Sequence, residues 1–210
     1  MGRAFPEKSN SFRVRPGLAY MTVIELLDAH SAGWGWSWGD MAANVIGTGL
    51  FTWQELAWKK QRIQYKFSVH ANQYSEPELK QRADELFGRN WSEKVLEDYN
   101  AQTYWLSLNI KSFFPKTKLP AWLNLAVGYG AGNLYGAYIN MDTEEPSRFD
   151  RRDLPRKSQI YLAPDIDFTK IPVKSKFLKT TFFFLNAFKC PAPSLMADSK
   201  GKLKGYVVYF

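Results

Sequence analysis

Tyr104-Trp-Leu-Ser-Leu-Asn-Ile110 and Trp122-Leu-Asn-Leu-Ala-Val-Gly-Tyr129 alternate large apolar side chains with polar or small ones over most of their length. A period of two is the signature of a strand, because successive side chains point to opposite faces. Strands are therefore expected beyond Gln102. Gln159-Ile-Tyr-Leu-Ala-Pro-Asp-Ile-Asp-Phe168 repeats the pattern, and Tyr206-Val-Val-Tyr-Phe210 is a candidate terminal strand. Phe177 to Phe188 is apolar apart from Thr180, Thr181 and Asn186, and suits a strand or a helix. Glu144 to Lys157 is charged and holds Pro146 and Pro155, which reads as a loop. Strands ending in Phe210 resemble those of outer-membrane barrels, but such barrels need at least eight strands. With four or five strand candidates, a small sheet or an extended wrap is expected instead.

Upstream the period is helical. Pro16 suits the first position of a helix, where its missing N–H costs nothing. The segment from Leu18 to Leu27 is apolar over most of its circumference, while Thr22, Glu25 and Asp28, three apart, share a narrow polar edge. After the glycine-rich turn Ser31-Ala-Gly-Trp-Gly-Trp36, Ser37-Trp-Gly-Asp40 has the pattern of a capping box and predicts a second helix from Met41 to about Gln61. Asp40, Asn44, Thr48, Thr52, Glu55 and Lys59 form its polar stripe. Neither helix has the run of about 20 apolar residues a bilayer crossing needs. Ser75 to Phe87, stopped by Gly88, and Asn90 to Tyr99 read as surface helices. The fold class expected is α+β: a helical hairpin over residues 1–66, then a mixed, aromatic-rich, basic region over 67–210 packing on it.

The first 110 residues balance their acids and bases, so the whole net charge of +8 lies in the second part. A basic surface favours anionic partners such as phospholipid headgroups. No zinc-finger spacing, RNA-recognition motif or basic helix points to nucleic acid. Aromatics make up 16% of the chain, which fits a membrane–water boundary, a ligand groove or an aromatic core. The single cysteine, Cys190, cannot form an internal disulfide and reads as a small buried thiol. No signal peptide is expected from Met1-Gly-Arg-Ala-Phe-Pro6, which lacks an apolar stretch.

The candidate polar site is Glu25, Asp28, Asp40 and Asn44. Three uses compete for it. The acids and amide cap and pair helices; or they form a polar site at membrane depth that recognises a lipid headgroup or partner helix; or the carboxylates, with His30, hold a divalent cation for lipid-phosphate chemistry. No nucleophile–base pair or glycine-rich phosphate loop accompanies them, so no catalytic residue, metal site or cofactor is assigned.

Ile24-Glu-Leu-Leu-Asp28, Ser31-Ala-Gly-Trp-Gly-Trp-Ser-Trp-Gly-Asp40 and Asn44-Val-Ile-Gly47 resemble an uncharacterised Gram-negative family, the YfiM-like predicted periplasmic lipoproteins. The likeness extends through Asp98-Tyr-Asn-Ala-Gln-Thr-Tyr-Trp105, Trp122 to Gly130 and Lys174-Ser-Lys-Phe-Leu-Lys179. A weaker one, at Asp40, Asn44 and Gly47, is to VanZ-like membrane proteins. The resemblance implies a cell-envelope location, periplasmic or outer-membrane associated. It also implies an earlier helix with an Asp-Lys-x-x-His motif, which would make this chain an N-terminal truncation. The function expected is that of a non-enzymatic envelope protein docking on membrane lipid or a membrane partner; the alternative is a metal-dependent hydrolase or lipid-modifying enzyme.

Overall fold

A computed structural model describes residues 38–72, 74, 76–136, 138–142 and 145–209. The chain divides into two compact units, Met1–Arg62 and Ile63–Phe210.

In the first unit, helix α1 spans Trp38–Trp58. It stops where Lys59 takes a positive φ of 53°, a left-handed conformation that cannot continue the helix. Gln54 fastens the exit: its Oε1 accepts from the Arg62 backbone N–H at 2.8 Å, and its Nε2 donates to Gln61 Oε1 at 2.9 Å. Ile46, Trp53 and Leu56 are exposed, while Thr48 and Thr52 on the polar stripe are half-buried. Among the described residues no helix is long and apolar enough to cross a membrane. The first helix of the expected hairpin and its glycine–tryptophan turn lie outside the described residues.

The second unit is built on one antiparallel sheet of six strands in sequential order: β1 (Ile63–Val69), β2 (Gln102–Asn109), β3 (Leu123–Gly132), β4 (Lys157–Ile166), β5 (Ala192–Asp198) and β6 (Leu203–Tyr209). Helices α2 (Pro77–Phe87) and α3 (Trp91–Glu97) connect β1 to β2; α4 (Ile110–Phe113) follows β2, and α5 (Lys176–Leu185) precedes β5. The α+β class therefore holds. The sheet has six strands rather than four or five. Strand β1 begins at Ile63, inside the stretch the sequence allotted to the helical hairpin, and the ambiguous apolar run from Phe177 is helix α5.

Register places Lys66 opposite Trp105, Trp105 opposite Gly128, and Gly128 opposite Tyr161, so these residues share one face. That face is the buried one. It holds the cluster of Trp105, Ala126, Tyr161, Ala163, Met196 and Tyr209. Gly128 makes room for it, since a Cβ there would come within 2.7 Å of the Trp105 ring. The Tyr209 hydroxyl of β6 lies 3.0 Å from the Thr103 hydroxyl of β2, and Tyr209 and Trp105 ring centres are 6.2 Å apart. Contact across three intervening strands requires the sheet to curl strongly around this face, which is therefore concave.

At the end of the sheet where β1 finishes, Leu79 of α2 packs with Tyr135 and Phe149 of the long β3–β4 connection. Asn140 holds that connection together. Its Oδ1 accepts from the Tyr135 N–H at 3.0 Å, and its Nδ2 donates to the carbonyls of Asn133 and Leu154. After α5 the chain returns along the free edge of β1, where Phe67 and Phe188 form a parallel bridge. Covering an edge in this way removes unpaired backbone groups from solvent.

Candidate lipid-facing surface

Polarity is distributed across this sheet in the reverse of the usual sense. A half-buried antiparallel sheet ordinarily turns its apolar side chains inward and its polar ones to water. Here the concave, buried face carries Lys66, Ser68, Thr103, Ser107, Asn109, Asn124 and Asp165 beside its aromatic cluster. The convex face carries Tyr65, Leu106, Leu125, Val127, Tyr129, Ile160, Leu162 and Leu195, all exposed; Tyr65 is 63% and Leu195 66% accessible. Counting along β1 to β5 in register, the convex positions include no charged side chain.

The buried polar groups are closely knit. Lys66 Nζ lies 2.8 Å from Asp165 Oδ2, with both side chains wholly buried, and it also donates to the Ile166 carbonyl at 2.6 Å. Lys189, delivered by the segment that follows α5, stands 4.0 Å from Asp165 Oδ1 and over the Trp105 ring at 5.0 Å. Ser107 Oγ and the Cys190 N–H donate to the same carboxylate at 2.6 and 3.0 Å. Asn124 donates to Ser107, and Asn109 to Asn124. Burial depresses the Lys189 pKa, partly opposed by Asp165, and burial raises that of the Cys190 thiol. A buried carboxylate serving two ammonium groups and two further donors is well satisfied, which is the condition under which buried charge is tolerated.

At the end of the sheet where β2 and β4 finish and β3 begins, apolar and basic side chains interleave. Phe114 and Trp122 are exposed beside Lys116 and Lys118 in the β2–β3 connection. On α5, Phe177, Phe183 and Phe184 are exposed, and Lys174, Lys176 and Lys179 lie at or before its first turns. Ser175 caps that helix, its Oγ accepting from the Leu178 N–H.

Of the four candidate residues, Glu25 and Asp28 lie outside the described residues. Asp40 is in the first turn of α1 and Asn44 follows one turn later, half-buried. Among the described residues no group of three or more His, Cys, Asp or Glu is placed to hold a metal ion. The features that dominate the sheet, the uncharged convex face and the Asp165 cluster, were missed by sequence reasoning. Their signal was available: Ser107, Asn109, Asn124 and Asp165 all fall on the polar phase of their alternations. Compared with known proteins, the chain matches no family model, no curated protein and no solved structure.

Proposed function

We propose that this is a non-enzymatic, envelope-associated protein that docks on a lipid surface through the convex face of its sheet. The observation that carries the reading is the inverted polarity, apolar and uncharged outside, polar and ion-paired inside. Such an arrangement costs free energy in water, at about 25 cal/mol for each Å² of apolar surface left exposed, and recovers it in hydrocarbon. Strands β3 and β4, at the middle of the sheet, are 10 residues long, within the roughly 9–11 residues of membrane strands. The flanking β1, β5 and β6 have 7 each, so contact is deepest at the centre. Docking is favoured over full insertion because β6 has no further strand beside it among the described residues, and open sheet edges are not stable in hydrocarbon.

The basic, aromatic end supplies charge complementarity. Lysines near an anionic leaflet contribute about 1 kcal/mol each at low salt, and exposed Phe and Trp suit the headgroup boundary. This agrees with the envelope location that the YfiM-like resemblance implies. The test is flotation of the purified chain with liposomes, neutral or containing phosphatidylglycerol, at low and high salt. The expected result is binding to both, tighter to the anionic vesicles and weakened toward the neutral level by salt. Protein that stays in solution with either vesicle, or binds only another envelope protein, contradicts the reading.

A further inference from the structure

We propose that the polar cavity at the α2 end of the sheet binds a short neutral saccharide. It has a volume of about 600 Å³, within the range of small-molecule sites, and it opens between the concave face and the β3–β4 connection. One wall is a triad of tyrosines: Tyr161 and Tyr209, both buried, are stacked with ring centres 4.5 Å apart, and half-buried Tyr206, 4.9 Å from Tyr209, is the most accessible ring of the three. Tyr74 and Tyr135, in edge contact at 6.2 Å, form part of the other. A half-exposed ring with a hydroxyl rim, as Tyr206 offers, presents apolar surface to the C–H face of a pyranose and a hydrogen-bonding group to its hydroxyls.

The charges around the cavity favour a neutral guest. Glu76, on its rim, is paired with Arg151 at 2.6 Å, and Asp98, behind Tyr74, accepts that hydroxyl at 2.6 Å. His70 is half-buried, with Nδ1 3.4 Å from the Tyr209 hydroxyl, and burial favours its neutral form. A phosphate site would call for converging arginines or lysines, and Lys157 stands alone in that role on the lining. An acyl chain would call for an apolar lining, whereas this one includes Asn72, Asn100, Asn133 and Gln159. Gln159 is aligned by the Tyr161 hydroxyl, which donates to its Oε1 at 3.1 Å. Asn100 spends both halves of its amide on the Leu134 backbone and Asn133 donates to the Pro155 carbonyl, so the amide placed to match the paired donor and acceptor character of sugar hydroxyls is that of Gln159.

The experiment is calorimetric titration of the full chain, solubilised in a neutral non-sugar detergent, with N,N′-diacetylchitobiose and with maltose, and with inorganic phosphate and hexanoate as competing chemistries. Saturable binding of at least one disaccharide is expected, with neither anion binding. Gln159→Leu should weaken it at least about tenfold, and Tyr206→Ala likewise, while Tyr206→Phe, which keeps the ring, should stay within about threefold. Circular dichroism and the melting profile of each variant separate a lost site from a lost fold. No saturable disaccharide binding up to about 10 mM overturns the proposal. So does saturation by phosphate or hexanoate, or disaccharide binding indifferent to folded Gln159→Leu.

Discussion

Replacing Asp165 by Asn removes one charge from the buried cluster while leaving its volume almost unchanged, so the effect is electrostatic rather than a packing loss. The carboxylate serves Lys66 at 2.8 Å and Lys189 at 4.0 Å, together with Ser107 and the Cys190 N–H. An amide at this position keeps one accepting oxygen but turns an N–H₂ group toward donors. Breaking a buried pair typically costs about 3–5 kcal/mol, because the remaining charge stays desolvated. Two lysines share this carboxylate, so the upper half of that range is expected, a large fraction of the 5–15 kcal/mol that holds an ordinary domain together. The strain falls first on Lys189, whose pKa burial has already depressed. Losing its proton relieves the cluster, so the variant should regain stability steeply as pH rises, and the triple variant K66M/D165N/K189M should regain most of it at neutral pH. The assay is equilibrium urea unfolding in neutral detergent, followed by tryptophan fluorescence, at several pH values. A loss below about 1 kcal/mol for Asp165→Asn, or a triple variant no more stable than the single one, would show that the buried carboxylate does not hold the two lysines in place.

Further outcomes follow from the same geometry. In the unaltered protein, Lys189 binds its proton less readily folded than unfolded; its contribution therefore raises stability between its depressed folded pKa and its ordinary value near 10.5, which unfolding measured up that range should show. His70 acts in the same sense lower on the scale: stability present above its ordinary pKa of about 6.5 should decline as pH falls toward its lowered folded value, and His70→Gln should flatten that slope. Gly128→Ala pushes a methyl group to 2.7 Å from the Trp105 ring and should cost about 1–3 kcal/mol in denaturant melts. Leu162→Arg, at the middle of the convex face, should leave the fold intact by circular dichroism and weaken vesicle partitioning by about 2–4 kcal/mol.

Much of the architecture could be read from local pattern, and the parts that could not have identifiable causes. The alternation at Tyr104 to Ile110, Trp122 to Tyr129 and Gln159 to Phe168 locates β2, β3 and β4, because an alternating run of seven to ten residues has few other solutions. Gly88, at φ 79°, ends α2 where the sequence places its stop. In β1 the alternation Ile63, Tyr65, Phe67, Val69 is complete, yet Lys66 between them looks like a boundary unless a lysine can be buried. Pro193 hides β5, since proline ordinarily argues against a strand interior. Period two also says nothing about which face is inward. That choice was made by partners far apart in sequence: Asp165 finds Lys66 and Lys189 only after four strands and α5 are in place. The tyrosines of the cavity are spread from Tyr74 to Tyr209, so no local spacing announces them. The acidic and amide stripe at Glu25, Asp28, Asp40 and Asn44 was the conspicuous local feature, and the structure describes only its last two members.

The most direct measurement of whether the convex face meets lipid is site-directed spin labelling along β3. In a Cys190→Ser background, single cysteines at Leu125, Val127 and Tyr129 carry a nitroxide on the convex face, and one at Gln81 on α2 serves as a water-exposed reference. Power saturation is then compared with oxygen, which concentrates in hydrocarbon, and with a water-soluble nickel chelate, after reconstitution into vesicles containing phosphatidylglycerol. The three β3 labels should be relaxed by oxygen and shielded from nickel, while the label at residue 81 shows the reverse. Relaxation of the β3 labels by nickel to the same extent as the reference would contradict lipid contact at this face.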